Sequence, residues 1–164
     1  MPFSRKTKRK TKVSSEPFYK DGLCFSCTQC SHCCKDEPGV VLLSKDDLKL
    51  LADWADLTPE QFELVYCRWV EFEDGNEYLS LREKSNYDCI FWENGGCLAY
   101  SARPVQCRTY PFWTHVLKDE ETWNKRGKEC PGINHGAHHT KEEIEEQLNQ
   151  YKKRNAIHRV WRIR

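Results

Sequence analysis

A chain of 164 residues has room for one domain with a real core and too little for two comfortable ones. Its 7 Tyr, 7 Phe and 6 Trp exclude disorder throughout, since disordered chains lack the apolar area to offset ordering entropy. A net charge of +1 sets up no global field toward nucleic acid or membrane, and no run approaches the ~20 apolar residues of a membrane span.

The N-terminus, Met1-Pro2-Phe3-Ser4-Arg5-Lys6, runs into more lysines rather than an apolar signal core, so a cytoplasmic location is expected. Arg5 to Lys12 hold six basic residues in eight and nothing to bury. Residues 1–20 therefore read as a flexible basic tail, ahead of a cysteine-cluster domain over 21–158 and a basic end at 159–164.

Residues 24–34 have neither helical nor strand period and read as a loop organised by its ligands. Gly39-Val40-Val41-Leu42-Leu43 predicts a buried strand. Ser44-x-x-Asp47 is a capping box before a helix whose inner face is Leu48, Leu51, Ala52 and Ala55. Thr58-Pro59-Glu60-Gln61 opens a second helix, with Phe62, Val65, Tyr66 and Trp69 as a core stripe and Cys67 beside it. Val70–Glu73 and Glu77–Arg82 alternate around Asp74-Gly75-Asn76 and predict a hairpin. A second hairpin runs from Cys89–Trp92 through Asn94-Gly95-Gly96 to Cys97–Tyr100, and neither two-residue turn sets Cys89 opposite Cys97. Ser101–Pro104 opens a short helical turn carrying Cys107. The last helix starts at Thr140-x-x-Glu143 and runs to about His158, with Ile144, Leu148 and Tyr151 as its stripe. The fold class is α+β, a small single domain of helices packed on short antiparallel hairpins, with cysteine-rich loops organised by metal.

The ten cysteines fall at 24, 27, 30, 33, 34, 67, 89, 97, 107 and 130. In a reducing compartment, clustered cysteines are metal ligands more often than disulfides. A C-x2-C spacing lets two thiolates of one tight turn reach the same ion. Here it repeats through Cys24, Cys27, Cys30 and Cys33, and Cys34 follows directly. Adjacent side chains on an ordinary backbone diverge, so Cys33 and Cys34 are expected to serve two centres, or one centre and one packing role. No apolar period surrounds Cys27, Cys30, Cys33 and Cys34, which favours ligation. Cys67 lies near the Phe62–Trp69 stripe, which favours packing, and Cys24 is undecided. Downstream the cysteines are single, each beside a conformational anchor such as Gly95-Gly96, Pro104 or Pro131. Eight thiolates would satisfy two four-cysteine sites.

The run Phe25-x-Cys27-Thr28-Gln29-Cys30-Ser31-His32-Cys33-Cys34 and the segment Cys97-Leu98-Ala99-Tyr100-x-x-Arg103-Pro104-x-x-Cys107-Arg108-Thr109-Tyr110-Pro111-Phe112 resemble the CxxCxxCC, or YkgJ-like, cysteine-cluster proteins. Cys130-Pro131-Gly132 completes the likeness, which spans roughly residues 24–148. It implies a zinc- or iron-chelating domain whose ligands are Cys27, Cys30, Cys33, Cys34, Cys89, Cys97, Cys107 and Cys130, with Cys24 and Cys67 as extras. Many of these relatives carry Gly where this chain has Ser31. The flagellin lysine methylases look like distant relatives sharing the cluster. This chain shows no recognisable loop for S-adenosylmethionine, so methyl transfer is not carried over. Arg103 and Arg108 belong to the second signature and flank Cys107, where guanidinium groups would offset thiolate charge and donate to sulfur.

His135, His138 and His139 follow Cys130 at spacings that suit zinc, yet Gly132, Gly136 and Ala137 favour a mobile, solvated loop. His32, between two cysteines, needs no ligand role. The cofactor expected is zinc or an iron–sulfur cluster such as 4Fe–4S. Dense C-x2-C-x2-C followed by a distant Cys-Pro leans toward iron, with Cys130-Pro131 as the distant partner and Cys107 equally good on spacing. Three functions compete: a metal-binding module, an iron–sulfur enzyme or oxidoreductase component, and a zinc-stabilised module gripping nucleic acid through its basic ends. The first is preferred.

Overall fold

The computed structural model describes residues 16–35 and 38–160. Over these residues the fold is α+β: five α-helices and short antiparallel sheets. Its first half is built on the predicted hairpin. Strand β2 (Cys67–Glu71) pairs antiparallel with β3 (Asn76–Leu81), from Cys67 opposite Leu81 to Glu71 opposite Glu77. The turn closes through the Asn76 N–H, which donates to Asp74 Oδ1 at 3.0 Å. Segment 39–43, expected as a strand, makes only a bridge, Leu42 to Ser80, backed by Leu43 N–H to Leu79 O and Leu81 N–H to Val41 O.

Both helix starts follow the sequence. Ser44 and Asp47 form a capping box on α1 (Lys45–Trp54), which buries Leu48, Leu51 and Ala52. Thr58 and Gln61 do the same for α2 (Pro59–Tyr66), with Pro59 at its first position. The expected stripe is cut short, however. The chain leaves the helix at Cys67, so Cys67 and Trp69 lie on β2, and Val65 is half exposed. The run Cys67–Val70 gains more by pairing with β3 than by one more helical turn, because tertiary pairing overrides a short periodicity. A first core gathers here around Leu43, Leu51, Phe62 and Leu79, all fully buried, and includes Cys67 and Phe91.

A second core is built from the rest of the chain. Strand β1 (Leu23–Phe25) pairs antiparallel with β6 (Ile133–His139), in place of the mobile loop expected there. The physical reason lies in Gly132: a Cβ there would strike the Ser26 carbonyl, so glycine permits this close approach rather than marking mobility. Helix α4 (Glu120–Gly127), capped by Asp119 and burying only Trp123, was not anticipated. Helix α5 (Lys141–Lys152) starts at the Thr140 capping box but stops six residues before His158. Asn155 is left-handed, at φ 40°, and His158–Val160 return as β7 on the free edge of β3. Phe112, Trp123, Ile133 and Ile144 form the centre of this core. Most of the tail expected over residues 1–20 lies outside the described residues, but Tyr19 packs in the second core. Of the basic end at 159–164, Arg159 donates to Glu77 at 2.6 Å and lies over the Trp69 ring, while 161–164 lie outside the described residues. No helix among the described residues is long and apolar enough to cross a membrane.

Candidate metal centre

The cluster loop is pinned from both sides. Ser26 N–H donates to Gly132 O at 3.3 Å, and Ser26 Oγ accepts from Ala137 N–H at 2.9 Å. Gln29 and Ser31 turn the chain with φ of 54° and 65°. Ser31 thus occupies the left-handed region where glycine is at ease. Its hydroxyl reaches Gln29 O and Gly95 O, each at 3.3 Å, joining the loop to the second hairpin.

A 3-10 turn over His32–Cys34 follows, and Cys33 Sγ lies 3.6 Å from Cys34 Sγ. The expected divergence of this pair is corrected. Extended backbone sends neighbouring side chains to opposite faces, whereas a 3-10 turn separates them by only ~120°. Two thiolates each ~2.3 Å from one tetrahedral zinc would lie ~3.8 Å apart, close to this spacing.

The single cysteines reach the same region from other elements. The Asn94-Gly95 turn, with both φ positive at 49° and 81°, joins β4 (Trp92–Glu93) to β5 (Gly96–Cys97). Cys97 then faces Trp92, not Cys89, as the spacing implied. Cys89 bridges to Glu83 and donates its N–H to Cys34 O at 2.7 Å, tying hairpin to cluster loop. Cys107 rides on α3 (Val105–Arg108), whose start is fixed by Asp47 Oδ1 on Val105 N–H at 2.8 Å. Gln106 accepts from Leu42 N–H and donates to Val40 O, at 3.1 and 2.7 Å. Cys130 follows α4 and is buried.

A cavity of about 260 Å³ receives all of them: Cys27, Cys30, Cys33, Cys34, Cys89, Cys97, Cys107 and Cys130 line it. Leu51, Leu81 and Phe91 of the first core and Phe25 of the second also border it, so it sits on the seam between the cores. Cys24, on β1 opposite His138, and Cys67, in the first core, do not line it. None of the ten cysteines is in a disulfide. Among the described residues no three His, Cys, Asp or Glu groups converge on one point to hold an ion. The thiols surround a space instead.

Their electrostatics divide them. Cys33, Cys34, Cys89, Cys97 and Cys107 act on one another as charges, whereas Cys130 feels Cys30. Burial pushes the Cys89, Cys97 and Cys107 thiols up. The hydrogen bond from Cys34 lowers Cys33 to about 7, and the same bond raises Cys34. Backbone N–H groups two residues on, from Phe91, Ala99 and Gly132, donate to the sulfurs of Cys89, Cys97 and Cys130 and favour their thiolates.

Arg103 lines the cavity, lies over the Tyr100 ring at 3.6 Å, and its charge lowers Cys33, Cys97 and Cys107. Arg108 also lines it and donates to Arg103 O at 3.0 Å, holding that backbone. Sequence reasoning missed Tyr110, whose hydroxyl bonds Cys130, and the supports Asp47 and Gln106. Tyr110 is a named position of the second signature, which was the available signal, whereas Gln106 falls at one of its unspecified positions. His135, His138 and His139 do not line the cavity; His138 and His139 face the Asp21 and Phe25 carbonyls at 3.0 Å. His32 lines it, with Nε2 3.8 Å from Glu129 Oε2.

A protein-family model matches residues 26–131, and its family is described as CxxCxxCC, "putative zinc- or iron-chelating domain". No solved structure matches the chain.

Proposed function

Since the chain belongs to the CxxCxxCC family of zinc- or iron-chelating domains, we propose that its eight cavity cysteines are the metal ligands, enough for two four-cysteine centres, and that they hold iron–sulfur clusters. One observation carries the choice of a cluster over a lone ion. Eight thiols drawn from the cluster loop, the second hairpin, α3 and the turn after α4 border one space, while among the described residues no three donors meet at a point. A polynuclear centre is ligated at its periphery, whereas a zinc ion gathers four donors around one centre.

Bound there, such a centre would tie the two cores together and supply one-electron redox chemistry. The chain's own residues prepare for it. Arg103 offsets thiolate charge, the N–H groups of Phe91, Ala99 and Gly132 donate to sulfur, and Leu51, Leu81 and Phe91 keep one wall dry. Arg108 acts through Arg103, whose backbone it holds.

The 3.6 Å spacing of Cys33 and Cys34 Sγ favours a second reading, a zinc site using both thiolates. Full-length protein purified without oxygen separates the two. Iron with acid-labile sulfide, and visible absorbance that bleaches on reduction, are expected. A colourless protein with stoichiometric zinc after iron-replete, anaerobic expression overturns the cluster and leaves the ligand set standing.

A further inference from the structure

A second cavity, of about 400 Å³, shares Cys33, Cys34, Cys89 and Cys107 with the thiol-lined one as a common wall. Its size falls in the range of small-molecule sites. Away from that wall its character changes. Among the described residues it is lined by four permanent cations, from Lys35, Arg82, Arg126 and Arg154, against one carboxylate, Glu83. That carboxylate is engaged by Arg68, and Arg126 by Glu129, each at 2.7 Å.

Arg154 is the telling residue. Its guanidinium lies over the Tyr151 ring at 4.0 Å and donates through Nη1 to Tyr151 O at 2.6 Å. The Tyr151 ring in turn stacks on Trp113, with centroids 5.4 Å apart and planes 16° apart. This clamp fixes the guanidinium, yet its Nε is buried with no acceptor among the described residues. A buried donor on a charged group is costly unless something accepts from it, so this N–H is open to a ligand oxygen. Beside it, Tyr110 and Trp113, edge to face at 5.1 Å, form an aromatic corner of the same cavity.

We propose that this cavity binds a small planar organic anion, with its acidic group on Arg154 and its ring in the Tyr110–Trp113 corner. The shared cysteine wall brings that ligand beside the proposed metal centre, but its recognition rests on residues outside the ligand set.

The test is calorimetric titration of full-length protein of measured metal content with phenyl phosphate, benzoate, inorganic phosphate and benzyl alcohol. Saturable binding of phenyl phosphate or benzoate is expected, at least roughly tenfold tighter than inorganic phosphate or benzyl alcohol. Arg154→Gln should weaken it by about tenfold or more with metal content unchanged. Where Arg154→Gln does not fold, Arg154→Lys, which keeps the charge without the flat stack, should weaken it severalfold. No saturable binding of either aromatic anion overturns the proposal. So does equal binding by benzyl alcohol, or unchanged affinity in a folded Arg154 variant. Low metal content would count against the ligand set instead, and the titration would still be judged by these outcomes.

Discussion

Asp47, buried near the start of α1, accepts a hydrogen bond from the Val105 N–H at 2.8 Å. Its other carboxylate oxygen accepts from the Ser44 N–H and hydroxyl, at 3.0 and 2.7 Å. One side chain therefore caps the helix of the first core and also fixes the turn that carries Cys107 across the seam.

Asp47→Ala should accordingly cost about 2–4 kcal/mol, the sum of a lost cap and an orphaned buried N–H. It should also lower bound metal, although Asp47 does not line the thiol cavity. Exposed Asp46→Ala is the control. Thermal melts and metal analysis check both, and a variant indistinguishable from the control would show that α3 is held by other contacts.

Ser31→Gly should stabilise the protein. A left-handed Ser at φ 65° carries roughly 1 kcal/mol of strain that glycine does not, and its two hydroxyl contacts are long, at 3.3 Å each. The expected gain is a melting temperature higher by about 2–4 °C. Ser31→Val, branched at a positive φ, should move the other way. A lower melting temperature for Ser31→Gly would mean that the bridge to Gly95 outweighs the strain.

The legible parts of this molecule are the local ones. All three capping boxes and both hairpin turns were readable because their chemistry lies within a few consecutive residues, at Ser44, Thr58, Thr140, Gly75 and Asn94-Gly95. Helix α4 was not, since a helix burying Trp123 alone shows no apolar stripe. Strand β6 was not, since its Gly- and His-rich residues earn their place through backbone pairing with β1. That Cys89, Cys97 and Cys107 would meet Cys33 and Cys34 depends on Asp47–Val105, Gln106–Leu42 and Cys89–Cys34, contacts between distant positions that no spacing encodes.

Metal removal should loosen the seam before either core. Cores centred on Phe62 and on Phe112 share the thiol cavity as a border, and binding energy available only in the folded state is folding energy. Chelation at neutral pH should lower the melting temperature and raise hydrogen exchange first at Cys34–Cys89 and around α3. An unchanged melt with all metal removed would reduce the cysteines to packing.

Serine substitution tests the ligand set residue by residue, because a hydroxyl is a far poorer ligand for soft or borderline ions. Cys33, Cys34, Cys89, Cys97 and Cys107 feel one another's charge, so losing any of them should remove most of the bound metal. Cys130→Ser should act with Cys30→Ser, its electrostatic neighbour, and the double variant should lose little more than either single one. Cys24→Ser should keep its metal, as Cys24 lies on β1 away from the cavity. Cys67→Ser should keep it too but melt earlier, since it puts a hydroxyl into the first core. Burial raises the Cys67 thiol to about 12, so it should also resist alkylation at pH 8 in the folded protein and react only on unfolding. Equal metal loss at all ten positions, or rapid alkylation of native Cys67, would break the division into eight ligands and two extras.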